Sequence, residues 1–345
     1  MARKDLYQWL NEWADGDETR VAVTRAIAGL AGVSIRIAER IWLGSLSGRD
    51  PAALVGVNED GDRQKALDVE ANEMFIAALR RSSVALMISE EEKKPLALTP
   101  GAPLCVAIDP LDGSSNIDTN ISIGTIFSIL PASALAEASP RLPKGAEQLA
   151  AGFMIYGPLT ALVLTVGEGV AIFTLDRSAG RYLLTRQGVA LPERKSEYAI
   201  NASNYRHWEE PVRAYIDECL AGAEGPRSED FNMRWNASLV AEAYRILMRG
   251  GIFLYPRDAR KGYQHGRLRL VYEANPIAFL MEQAGGRATD GVNRILDLEP
   301  AEIHQRTPLV FGSYRMVDRV ARYHVELERD SDRAPLFGSR GLFRK

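Results

Sequence analysis

The stretch LCVAIDPLDGSSNID, Leu104–Asp118, decides how the rest of the chain is read. An apolar run suited to a buried strand stops at Asp109, and a second acid, Asp112, follows three residues on. Pro110 stiffens what reads as a turn between them, and Gly113 lets backbone approach a ligand. Gly113-Ser114-Ser115-Asn116 then supplies backbone N–H and hydroxyl donors suited to a phosphate. Alone, an Asp-Gly pair marks a plain surface turn. Its meaning depends on what the chain brings to the same place.

Working outward, acids recur where apolar segments end. VALMISEEEKK reads as a buried strand, Val84 to Ile88, running straight into Glu90 and Glu91. LRLVYEANPIAFLMEQAGG reads as strand then helix, with Glu273 at the junction, Pro276 in the first helical turn and Gly285-Gly286 as the stop. Ligands of layered α/β proteins collect at the carboxyl ends of strands, so these acids can meet at one point. Packed carboxylates repel and raise one another's pKa, and such a cluster persists with cations. Metals beside a phosphate cradle point to phosphoryl hydrolysis, where two ions roughly 3.5–4 Å apart clamp the attacking and leaving oxygens. Each acid also has a plain structural reading. Glu92 suits a solvated charged face, Glu273 a helix start favoured by the dipole, and Asp62 a helix cap.

The 345 residues suffice for two core-forming domains, or for one large α/β unit with two halves. With 46% hydrophobic and 25% charged residues the chain is ordinarily globular, and its formal net charge of −3 points to neither nucleic acid nor an acidic membrane surface. No apolar run of spanning length is evident, and MARKDLYQWLNEW lacks the apolar core of a signal peptide. Cys105 and Cys219 are far apart, which fits a reducing cytoplasm. The four histidines are scattered, so any divalent metal is held by oxygen.

After an exposed start, Val23, Ile27, Leu30, Ser34, Ile37 and Ile41 predict a long helix ending near Gly44. A second helix is buried through Leu67, Phe75, Ile76 and Leu79, with Asp62 as its cap and Asp68 in an early turn. IGTIFSIL is a strand, residues 131–150 bridge by a loop or short helix, and strands follow at 151–156, 161–166 and 170–175. The second half opens with a strand near Tyr198, then helices around 209–221 and 236–249, the strand GIFLY, and a last helix ending near Arg329. The mixture throughout is α/β or α+β.

ISEEEK, IDPLDGSSNID, GTIF and LRLVYEANPIAFLMEQAGG together resemble the class I fructose-1,6-bisphosphatases, of the lithium-sensitive sugar and inositol phosphatase superfamily, from about residue 20 to about residue 325. The Trp-Asp signature of inositol monophosphatases has no counterpart at Tyr272-Glu273-Ala274-Asn275-Pro276. The resemblance implies a layered α/β/α/β/α sandwich: a metal- and phosphate-binding half at 1–196, a sugar-phosphate half at 197–329, and a flexible tail at 330–345. It implies that Glu90, Asp109, Asp112, Glu273 and the Leu111 carbonyl hold two or more Mg²⁺ ions, with Mn²⁺ as an alternative. Glu91, Asp68 and Asp62 match acids that orient the attacking water and take its proton. Gly113, Ser114 and Ser115 match the grip on the phosphate to be cleaved. Asn201, Tyr205, Tyr255 and Arg267 match the pocket for the sugar and its second phosphate, and Arg234 an arginine that reaches a neighbouring subunit's site in a homotetramer.

The activity so implied is hydrolysis of the 1-phosphate of fructose 1,6-bisphosphate, in gluconeogenesis or the Calvin cycle, by a cytoplasmic enzyme. Alternatives are dual action on sedoheptulose 1,7-bisphosphate, an inositol or nucleotide phosphatase, and a catalytically silent sugar-phosphate sensor. The chain departs from the family pattern at Arg267, commonly Lys, at Trp235, usually Tyr, and in NASNY around Asn201. Pro103 and Leu104 stand where AMP-sensitive members carry Lys-Tyr, so AMP inhibition is expected to be weak or absent. Residues 131–150 hold no cysteine, so no thiol switch is expected there.

Overall fold

The computed structural model describes residues 3–48, 50–57, 63–132 and 141–333. Helices α1 (Leu6–Ala14), α2 (Glu18–Leu43) and α3 (Ala66–Leu79) form the first layer. The opening segment is not the exposed start expected. Asp5 caps α1 in a reciprocal box with Gln8, and Leu6, Leu10 and Ala14 are buried. Asp17 caps α2 by accepting from Arg20 N–H at 2.8 Å, and Gly44 ends it with φ 51°. Contrary to the sequence reading, α2 is long and apolar enough to cross a membrane by length and composition. Its buried residues, Val23, Ile27, Leu30 and Ile37 among them, pack in the core instead. The cap position of α3 belongs to Lys65, not Asp62. Asp68 in the first turn accepts from Lys65 N–H at 2.8 Å.

Beneath these helices lies an eight-stranded sheet. A short hairpin, β1 (Leu54–Val57) and β2 (Arg63–Lys65), precedes it. Its strands are β3 (Val84–Ser89), β4 (Leu96–Ala97), β5 (Leu104–Asp112), β6 (Ile123–Pro131), β7 (Ala150–Tyr156), β8 (Thr160–Thr165), β9 (Val170–Asp176) and β10 (Arg181–Gln187), ordered β10-β9-β8-β7-β6-β5-β3-β4. Among the described residues of this sheet only β3 and β5 pair in parallel, and both faces are covered, so the central strands are largely apolar. The sequence reading missed β10, whose Tyr182 is buried and bonds Ser34 Oγ at 2.8 Å.

The second sheet, ordered β12-β11-β13-β17-β15, contains β11 (Glu197–Ala199), β12 (Asn232–Met233), β13 (Ile252–Tyr255), β15 (Arg287–Thr289) and β17 (Leu309–Gly312). β14 (Leu268–Arg269) pairs with β16 (Arg306–Thr307) beside it. Helices α5 (Leu239–Arg249) and α6 (Asn275–Gln283) fill the space between the sheets, packing Val240, Ile246, Ile277 and Leu280 against Phe153, Val163, Phe253 and Phe311. α4 (Glu210–Leu220) and α7 (Tyr314–Arg333) cover the outer face through Tyr215, Ile216, Val317 and Val320. The result is the five-layered α/β/α/β/α sandwich that the resemblance implied. α7 runs four residues past the expected end at Arg329, and 334–345 lie outside the described residues.

Gly124 of β6 marks the closest approach between the layers. A Cβ there would lie 2.3 Å from the Met154 carbonyl oxygen and 2.7 Å from Val240 of α5. Gly124→Ala is expected to destabilise the protein by about 2–3 kcal/mol through overpacking, read as a lower urea midpoint at unchanged slope. An unchanged midpoint would show that α5 yields at this contact.

Candidate active site

The apolar run does not stop at Asp109 as the sequence suggested. β5 continues to Asp112, and no turn separates the acids. Asp109 pairs with Ile126 and Asp112 with Gly124, so three steps along β5 match two along β6: a β-bulge. In a regular strand residues three apart face opposite sides, and the extra residue lets both acids face one way. Leu111 N–H donates to Asp109 Oδ1 at 2.9 Å, and Thr125 Oγ1 to the Pro110 carbonyl at 2.9 Å. Leu111 lies inside the bulge, between the acids.

Glu273 meets them from the second half. It sits not at a strand end but in a π-helical turn, Leu270–Ala274, between the two-residue β14 and α6. Its carboxylate accepts from Arg269 N–H. Carboxylate oxygens of Asp109, Asp112 and Glu273 lie within 4.8 Å of one another. Glu90 joins from the end of β3, its N–H donating to the Ile108 carbonyl at 3.2 Å and its carboxyl hydrogen-bonding Asp109, a contact that requires a shared proton.

Burial dominates the electrostatics of these acids. It raises Glu90 to about 7, helped by the charge of Glu91 and opposed by the Asp109 hydrogen bond and Arg269. Burial, then Glu90, Asp112 and Glu273, holds Asp109 well above its usual range. Burial and Glu90 do the same to Glu273. Asp112 rises to about 6 through burial, opposed by the N–H groups of Val240, at 3.0 Å, and Leu239. Those amides open α5, so a helix N-terminus faces the acid. Asp68 is raised to about 6 by burial, opposed by the Lys65 N–H, with the nearby Glu91 charge pushing up and a Ser114 hydrogen bond pulling down.

Asp68, Glu91 and Ser114 are thus neighbours of the cluster, whereas Asp62 lies outside the described residues. Glu92 is not the freely solvated face expected. Its carboxylate accepts from Asn72 Nδ2 at 2.9 Å, Asn72 accepts from Ser89 Oγ at 2.9 Å, and Glu91 N–H reaches that hydroxyl at 3.3 Å. Gly113 has φ 76°, which favours glycine, and turns the chain into the short helical turn Ser114–Asn116. Asn116 Nδ2 fixes this loop to the Ala237 carbonyl at 2.9 Å, while Ser115 is exposed.

Tyr255 lies within electrostatic reach of Arg267 and Glu273. Arg267 hydrogen-bonds the Tyr263 hydroxyl and lies 4.6 Å from that ring's centroid, and Arg260 lies 4.1 Å from it. Trp235 stacks on Phe253 at 5.9 Å and tilts on Tyr255 at 6.0 Å. Asn201 and Tyr205 hold other partners, although their segment meets this group's through the Trp208–Asp258 bridge. Asn201 accepts from Ser203 Oγ at 2.6 Å, and Tyr205 donates to Asp217 at 2.7 Å. Arg234 is exposed beside the edge strand β12, its N–H on the Tyr198 carbonyl at 2.8 Å.

Sequence reasoning missed Arg269, buried within charge range of Glu90 and Glu273, and the Arg260–Tyr263 pair. The basic run from Arg257 to Arg267 signalled the second; nothing local signalled the first.

The acids ionise near 4 in the unfolded chain, whereas folded Asp68 and Asp112 keep protons to about 6 and Glu90 to about 7. Their contribution to stability is full below the unfolded values and lost as pH climbs through the folded ones. The melting temperature of the metal-free protein should therefore fall from about pH 5 to about pH 8, and Mg²⁺ should restore more at the higher pH. A metal-free melting temperature flat across that window would refute this.

Residues 35–187 match the family model of the fructose-1,6-bisphosphatase N-terminal domain, and residues 191–325 that of the C-terminal domain. Among relatives, the class 1 fructose-1,6-bisphosphatase of Sinorhizobium medicae is 57% identical over 332 residues, covering 95% of each chain. That of Rhodopseudomonas palustris strain BisB18 is 56% identical over 339 residues, covering 98% of each. The solved Leishmania major fructose-1,6-bisphosphatase in holo form superposes with a TM-score of 0.86 at 34% identity, covering 94% of this chain and 100% of that one. By its site, its layers and these matches along nearly its whole length, the chain belongs to the class I fructose-1,6-bisphosphatase family.

Proposed function

We propose that the chain hydrolyses the 1-phosphate of fructose 1,6-bisphosphate to fructose 6-phosphate and phosphate, as a phosphoric monoester hydrolase of carbohydrate metabolism. The observation that carries this reading is the convergence of Asp109, Asp112 and Glu273 beside the donor loop, in a chain 53–57% identical to enzymes of that name. The donor set fits a hard divalent cation. It is all oxygen, it is buried, and burial forces protons onto acids that lack a cation. We assign Mg²⁺, with Mn²⁺ as the alternative, to Glu90, Asp109, Asp112, Glu273 and the Leu111 carbonyl. When bound, such ions lower the pKa of water and offset charge on the leaving oxygen.

The chain's own residues supply the rest. Glu91 accepts the proton of the attacking water with help from Asp68, a role that their electrostatic proximity supports. The Gly113–Ser115 backbone and the Ser114 hydroxyl hold the phosphate against that attack. Arg267 pairs with the second phosphate, to which its planar fork can donate twice, and Tyr255 contacts the sugar. Asn201 and Tyr205 complete the pocket if Tyr205 exchanges Asp217 for phosphate. The exposed Arg234 beside an edge strand supports a homotetramer in which it enters a neighbour's site. Free, buried Cys105 and Cys219 support a reducing, cytoplasmic setting.

Mg²⁺-dependent phosphate release from fructose 1,6-bisphosphate is expected, and Asp112→Ala should lower kcat at least about 100-fold. Trp235, which lacks the hydroxyl of the usual Tyr, makes sedoheptulose 1,7-bisphosphate the informative second substrate. Release from neither sugar would favour a silent sensor, and full activity of Asp112→Ala would refute the metal assignment.

Leu104 is fully buried within β5, and Pro103 presents only its carbonyl, to Ala132 N–H at 2.8 Å. Neither can donate to an AMP phosphate. Micromolar AMP should leave phosphate release unchanged; potent inhibition removed by substitutions near 103–104 would overturn this.

A further inference from the structure

A cavity of about 720 Å³ opens where the start of α7 meets the segments leading into β11 and β12. None of its lining residues belongs to the acid cluster or the sugar-phosphate pocket. Six of them are cations, Arg194, Lys195, Arg227, Arg315, Arg319 and Arg322, in a chain whose formal net charge is −3.

The charges are poorly matched. Arg315, Arg319 and Arg322 recur on one face in the opening turns of α7, where they repel one another and oppose the helix dipole. Glu193 offsets Arg315 at 2.7 Å and Glu218 offsets Arg319 at 2.8 Å. Arg194, Lys195 and Arg322 are exposed and meet no acid within ion-pair distance among the described residues. Both acids on the cavity wall are turned to other partners, Glu229 to Ser196 and Asp318 to Arg287. Arg227 is held by rings, 4.4 Å from the Phe231 centroid and 5.0 Å from that of Tyr215, and donates to Cys219 Sγ at 3.3 Å. A guanidinium backed by aromatic rings is a preorganised anion donor.

We propose that this cavity is a second anion site, separate from the substrate pocket, for a small molecule carrying two or more phosphate or carboxylate groups. Three cations without an acid in ion-pair distance, with the ring-backed Arg227 beside them, exceed what one phosphate can neutralise, and the volume is that of a small-molecule pocket. The site does not depend on the phosphatase reading.

Calorimetric titration of the metal-free, full-length protein with inorganic pyrophosphate, and in parallel with citrate, tests this and tells phosphate from carboxylate. The double variant Lys195→Ala/Arg322→Ala should bind the preferred probe about tenfold or more weakly, with a shallower salt dependence. Its kcat and KM with fructose 1,6-bisphosphate should stay at the wild-type values, which also shows that it folds. Arg267→Ala should retain binding. The proposal is overturned by silence with both probes, by an unchanged affinity in the double variant, or by binding lost in Arg267→Ala.

Discussion

Carboxylates packed side by side away from water repel, and much of this fold is arranged around that repulsion. Glu90, Asp109, Asp112 and Glu273 come from β3, β5 and the turn before α6, so no single element carries the strain. Glu90 and Asp109 lie within hydrogen-bond reach of each other, Asp112 faces the amides of α5, and Arg269 sets its charge near Glu90 and Glu273. Each device weakens the repulsion in part, and the remainder makes the place a site for cations.

The same need explains how the second half is held. Fully buried Glu242 accepts from Asn236 N–H at 2.7 Å and pairs with Arg245 at 3.0 Å, which pairs with Glu197 of β11 at 2.9 Å. The network ties β11 and α5 to the segment that carries Trp235 and the Ala237 carbonyl. Asn116 binds that carbonyl, so the Gly113–Asn116 loop of one half is positioned by buried charge in the other. Buried ion pairs add little net stability but penalise any arrangement that breaks them.

Much of this was legible in the sequence, and the reasons are local. The 3.6-residue spacing from Val23 to Ile41 gave α2, and apolar runs gave β3, β5 and β6. The acids were visible because each closes an apolar segment. Two features escaped for physical reasons. The bulge in β5 depends on which residues of β6 it opposes, and Pro110 with Asp-Gly reads locally as a turn. Arg269 owes its place to packing between β14 and the π-helical turn, contacts that no linear pattern records. The helix α1 was missed although its cap, Asp5 with Gln8, was readable.

Asp112 is a residue of the first sheet whose carboxylate is held by the opening amides of a helix that packs against both sheets. Occupation of the acid site and docking of that helix therefore share one free energy. The Val240 and Leu239 amides favour the charged form of Asp112, so whatever draws charge onto that carboxylate would tighten α5 against β6. By the reciprocity of linked equilibria, the docking of α5 favours charge on Asp112 by the same factor that charge on Asp112 favours the docking of α5. The helix thereby gives remote packing a thermodynamic hold on the chemistry.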